Sequence, residues 1–180
     1  MADPMFRDLQ ADEIECRVAQ AKDNGVSLLL YKDARCDQNI LDETVGPMNW
    51  MRSHTRENAN CIVSIWDTEK QQWISKEDTG TESNTEKEKG LASDSFKRAC
   101  FNWGIGRELY TAPFIWIDAK DCQSLKQIGD KWKCFDSFEV QKIVIEKKRI
   151  VALAIRNCRS RKTCCVWQDP KWEAQQKEKR

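Results

Sequence analysis

Ile14, Cys16 and Val18 alternate with Glu13, Glu15 and Arg17, and this period of two predicts a half-buried strand with Arg17 pointing away from the core. Lys22-Asp23-Asn24-Gly25 is a turn signal and Val26 to Tyr31 an apolar returning strand, so the chain begins with a hairpin. The period then changes. Between Asp33 and Val45, Ile40, Leu41 and Val45 recur at helical spacing, with Asp33 placed to cap the start and Gly46-Pro47 to stop the end. Strands are expected at Asn49 to His54, at Cys61 to Trp66 and, past a polar turn at Asp67 to Gln71, around Trp73 to Lys76.

The clearest helical stripe follows. Leu91, Ala92, Ser95, Phe96, Ala99, Cys100 and Trp103 fall on one side, and Lys97, Arg98, Phe101 and Asn102 on the other. Asp94 stands in position to pair with Arg98 one turn on, and Gly104 offers the left-handed residue that ends the helix. Thr79 to Lys89 reads as a charged loop leading into it, with Thr85 and Glu88 as a capping box, and Gly90 costs that first turn ~1 kcal/mol relative to alanine. Gly104 and Gly106 permit a reversal, and Pro113 separates Arg107 to Tyr110 from the apolar Phe114 to Ile117.

Lys120 to Lys133 predicts no element. Phe138, Val140, Ile143 and Ile145, then Ile150, Val151, Leu153 and Ile155, flank Glu146-Lys147-Lys148-Arg149 and predict a second hairpin with a basic tip. Residues 158–180 are polar and basic and are expected to be a weakly ordered tail, either a weak phosphate binder or a solubilising terminus. The pattern is that of an α+β domain over residues 1–157, an antiparallel sheet with β-hairpins packed on a central amphipathic helix.

Composition narrows the chemistry. A chain of 180 residues can bury one real core, and a formal net charge of +1 means that any basic site must be local. No apolar run approaches the ~20 residues of a membrane span, and Met1 to Gln10 lacks the features of a signal peptide, so a soluble, cytoplasmic protein without a membrane partner is expected. Nine cysteines without an export signal predict reduced, buried or incidental thiols. There is no C-x-x-C, Cys164 and Cys165 are adjacent, and His54 is the single histidine, expected at the surface; neither a metal nor a cofactor is expected. No G-x-x-x-x-G-K-[ST] is present, which excludes a standard P-loop recombinase. A metal-dependent nuclease would have to draw on acids such as Asp67, Glu77 and Asp78, which lie in polar turns without a metal signature, so no enzymatic activity is expected.

The run D-S-F-K-R-A-C-F-N-W-G-I-G-R-E-L-Y, from Asp94 to Tyr110, resembles the hallmark helix of the Rad-fifty-two family of single-strand annealing proteins, especially its phage-encoded branch. Ile14 to Ala21, Leu28 to Arg35, Asn39 to Trp50 and Lys76 to Ser83 follow in that family's order, so the resemblance spans about residues 13 to 117. It implies ATP-independent binding of single-stranded DNA and annealing of complementary strands in recombination or repair, by a homo-oligomeric ring in the cytoplasm, that of a bacterial host if phage-encoded. Lys97 and Arg98 match the family's Lys-Arg pair in the DNA groove, and Arg17 and Tyr31 match a basic and an aromatic residue of the same groove. Where eukaryotic members carry a further arginine, this chain has Phe101, read as a subunit contact more readily than a base-stacking residue; Arg107 is a candidate replacement cation or, equally, a cap for the carbonyls of the helix end, and Lys87 and Lys89 are candidate secondary DNA contacts. A recombinase or a single-strand binding protein is a further partner that the resemblance leaves open. The other reading of the residues is a module that coats single strands without annealing them, encouraged by the eight tryptophans.

Overall fold

The computed structural model describes residues 5–81 and 87–178, with the backbone alone for 87–89. They divide into two compact units: residues up to Asp8 with Asp33–Gly106, and Leu9–Lys32 with Arg107 onward. The chain leaves the second unit after the first hairpin and returns to it after Gly106.

The first unit is built on β3 (Trp50–Thr55), β4 (Asn60–Asp67) and β5 (Gln72–Thr79), a three-stranded antiparallel sheet in that order. Register places Trp50, Ile65 and Ile74 on one rung, Arg52, Val63 and Lys76 on the next, and His54, Cys61 and Asp78 on a third. These alternate positions share one face because successive side chains point to opposite sides. The helix α2 (Lys87–Asn102) packs on β4 and β5. Its stripe is the expected one: Ser95, Phe96, Ala99 and Cys100 are fully buried, and truncating a ring such as Phe96 typically costs ~3–5 kcal/mol. Gly104 ends α2 at φ 99°, with Gly104 N–H donating to the Phe101 carbonyl and Ile105 N–H to that of Cys100. This Schellman pattern satisfies the last carbonyls and buries Ile105. The capping box expected at Thr85 and Glu88 lies outside the described residues. The shorter α1 (Ala34–Val45) starts as expected at Asp33, whose carboxylate accepts from Arg35 N–H, and stops at Gly46.

The second unit is a six-stranded antiparallel sheet in the order β11-β10-β9-β1-β2-β6. The predicted hairpin is β1 (Glu15–Lys22) and β2 (Gly25–Tyr31), and β6 (Ile115–Asp118) pairs with β2 so that Val26 opposes Ile117 and Leu28 opposes Ile115, all buried. The second predicted hairpin is β9 (Phe138–Glu146) and β10 (Arg149–Asn157). Its two-residue turn holds Lys147 and Lys148 at φ 50° and 61°, the left-handed pair a tight hairpin needs, supplied here by lysines at some conformational cost. Residues 120–133, for which the sequence predicts no element, hold all but the last residue of the small hairpin β7 (Leu125–Ile128) and β8 (Lys131–Cys134), turned at Gly129.

Two expectations need correction. The first hairpin belongs to the six-stranded sheet of the second unit, while the sheet under α2 is made of β3, β4 and β5. Alternation identifies a strand but not its partner, and β1 takes β9 from far along the chain. Nor is the segment from 158 a weakly ordered tail: Lys162–Gln168 forms β11, paired along β10, and Pro170–Glu178 forms helix α3. A two-residue alternation on an edge strand that keeps only one apolar side is hard to tell from polar coil.

Candidate nucleic-acid interface

Lys97 and Arg98 leave α2 on the side away from its buried stripe, and both are half-buried. Their surroundings differ. Arg98 Nε stands 3.5 Å from Asp78 Oδ1 on β5, without hydrogen-bond geometry. The partner is therefore a residue of the sheet, and not Asp94, whose carboxylate accepts from the backbone N–H and hydroxyl of Thr81. Lys97 makes no ion pair among the described residues; its charge is felt by Asp33, after the larger effect of Arg35 on that carboxyl.

The end of α2 carries a polar clamp that sequence reasoning missed. Lys76 Nζ donates to the Asn102 carbonyl at 2.9 Å and lies 4.4 Å from the centre of the Trp103 ring. Asn102 Nδ2 donates to the Glu77 carbonyl and to Asp78 Oδ2, and Trp103 Nε1 to the Val63 carbonyl. On the other edge of the sheet Arg52 lies over Phe96 at 4.6 Å, with Trp50 stacked on the same ring. The positions of Arg52 and Lys76 on one rung with Val63 carry this information, but only after strand pairing is known.

His54 is half-buried on the face that α2 covers, with Nδ1 3.4 Å from Ser95 Oγ, instead of lying at the surface. Burial, then the Arg52 charge, pulls its pKa below the ordinary histidine value. Phe101 is half-buried on α2. The opposite face of the sheet carries Met51, Trp66 and Trp73, the two indoles packed edge to face at 5.4 Å. Trp73 and Met51 remain substantially exposed there.

Arg17, Tyr31 and Arg107 belong to the second unit. Register puts Glu15 opposite Tyr31 and Arg17 opposite Leu29, so all four share the exposed face of the first hairpin. Tyr31 Oη donates to Glu15 Oε2 at 2.6 Å, and this bond raises the phenol pKa while the nearby Arg17 lowers it. A cation and an aromatic thus stand together with an acid between them. Arg107 is exposed in a 3-10 turn, Arg107–Thr111. The adjacent Glu108 is fully buried, Oε1 accepting from Leu9 N–H at 2.7 Å and Oε2 without a partner among the described residues. Lys87 and Lys89 begin α2, and their side chains lie outside the described residues.

The acids weighed for a nuclease do not converge. Asp67 holds its own turn through the N–H groups of Glu69 and Lys70, Glu77 accepts from Asn60, and Asp78 faces Arg98. Glu77 and Asp78, adjacent on β5, point to opposite faces. A possible metal donor set lies elsewhere: Cys122, Cys134 and Asp136 bring ligand atoms to within 4.8 Å of one another. Burial, then Cys134, pushes the Cys122 thiol up to about 12.

No family model, curated protein or solved structure matches the chain.

Proposed function

We infer that the chain binds single-stranded DNA through its phosphates and anneals complementary strands without ATP, as a homo-oligomeric ring serving recombination or repair. The observation that carries this reading is Lys97: it stands on a helix whose other face is locked into a sheet, has no ion-pair partner among the described residues, and occupies the matching place in the Lys-Arg motif. Annealing needs phosphates held while base edges stay free to test a second strand, which fixed cations achieve without base-specific hydrogen bonds. Arg17 beside Tyr31, and exposed Arg107, add two cations and an aromatic of the same kind on the second unit. A closed ring is supported by the need to cover sheet edges, since β3, β5, β6 and β11 all end their sheets.

The second reading, a coating module without annealing, is favoured by Trp66 and Trp73 on the outward face of the three-stranded sheet, where an exposed indole can stack a base at ~1–3 kcal/mol. Annealing of complementary oligonucleotides, followed with native mass measurement of the protein alone and on DNA, separates the two. An annealing ring accelerates pairing; a coating module protects strands from pairing. Absence of single-strand binding at low salt would sink both.

A further inference from the structure

We propose that Cys122, Cys134 and Asp136 form a binding site for a divalent cation of the zinc type at the base of the β7–β8 hairpin. Cys122 follows a 3-10 turn at Ala119–Asp121, Cys134 ends β8 opposite Leu125, and Asp136 lies in the link to β9. Neither thiol pair nor acid has a zinc-motif spacing; the hairpin is what folds Cys122 back onto Cys134. Each residue offers one ligand atom, all within 4.8 Å of one another. A tetrahedral zinc, with bonds of about 2.0–2.3 Å, spaces its ligands by roughly 3.5 Å, so thiol rotation and a small inward shift close the site.

The carboxylate is prepared for that role. Its side chain is 0% exposed. Oδ1 accepts from the Ser124 hydroxyl at 2.6 Å, and Oδ2 from Gln123 N–H at 2.6 Å and Asn157 Nδ2 at 3.0 Å. A carboxylate has about four lone-pair positions, so these bonds leave one on Oδ1. Fixed donors behind a carboxylate are the arrangement that orients a metal ligand. Arg159 Nε lies 3.7 Å from the same Oδ1, on a side chain 57% exposed that can withdraw into water when a cation enters. Two sulfurs with one oxygen favour zinc over magnesium or calcium, and three protein ligands leave a fourth position for water. Binding releases the two thiol protons to solvent. The ion would tie the start of β7 and the end of β8 to the end of β10 through Asn157, which also donates to the Asp121 carbonyl.

Cobalt titration of the reduced full-length protein tests this. One equivalent of cobalt per chain should give a thiolate-to-metal charge-transfer band and the intense visible bands of tetrahedral cobalt, both lost on adding zinc. Cys122→Ser with Cys134→Ser should abolish the band, while Cys16→Ser with Cys158→Ser should keep it. Asp136→Asn, checked for folding by circular dichroism, should weaken cobalt binding ~10- to 100-fold if it retains its fold. Cys122→Ser alone, the mildest change, should weaken binding in a protein of unchanged fold. No stoichiometric band in the reduced wild type, a band that survives the Cys122/Cys134 double replacement, or recovery of the two cysteines as a disulfide from protein held in saturating zinc would each overturn the site.

Discussion

Lys97 and Arg98 are neighbours in the chain, yet α2 gives them different work. Arg98 is already engaged by Asp78, across a contact of 3.5 Å, whereas Lys97 makes no ion pair among the described residues and acts only on the charge of Asp33 there. Lys97→Ala should therefore weaken single-strand binding for every sequence alike and flatten its log-log salt dependence by roughly 0.7, as the loss of one phosphate contact does. Arg98→Ala should do this too, but with a stability change of about 0–1 kcal/mol that vanishes in the Asp78→Ala background, because the ion pair is part-exposed. Oligonucleotide affinity against salt and a denaturant double-mutant cycle check the pair. Equal salt slopes for wild type and Lys97→Ala would remove Lys97 from the site.

Two elements depend on single backbone features. Gly80, at the end of β5, lies against α2 so closely that an added Cβ would meet Ser95 N at 2.6 Å and the Leu91 carbonyl at 3.0 Å. Both are backbone atoms and cannot rotate away. Gly80→Ala should thus push helix and strand apart and cost about 1–3 kcal/mol in a denaturant melt. An unchanged midpoint would mean that the helix is not seated where β5 ends. At the start of α1, Asp33 accepts from the Arg35 guanidinium and from Arg35 N–H, and these bonds, the guanidinium's first, hold its carboxyl below its ordinary value of 3.8. A folded pKa below the unfolded one contributes stability that is complete above 3.8 and is lost as the pH falls through the folded value. Asp33→Asn keeps a capping oxygen without the charge, so its deficit against wild type should be constant near neutrality and shrink below pH 3.8. Asp33→Ala should lose about 1 kcal/mol at neutral pH. Melts of the three proteins at pH 7 and pH 3 give both comparisons.

At the scale of the whole molecule, the last strand changes what a truncation does. Ending the chain at Asn157 would remove only a tail if 158–180 were weakly ordered, but it removes β11 and leaves the β10 edge from Ala152 to Asn157 unpaired. The shortened protein should melt lower and aggregate, because an open apolar edge recruits other strands; full stability after truncation would show β11 to be dispensable. The sequence alone determined α1 with its cap, the buried stripe of α2 with its glycine stop, and both hairpins at their turns, since each depends on a local period and on residues a few places apart. Tertiary structure decided the rest. The division into two units, the pairing of β1 with β9, the Asp78 partner of Arg98 and the meeting of Cys122 with Cys134 and Asp136 all join residues whose neighbourhood is set by strand pairing. Period reports which way a side chain faces but carries no information about the strand, or the charge, that it will face.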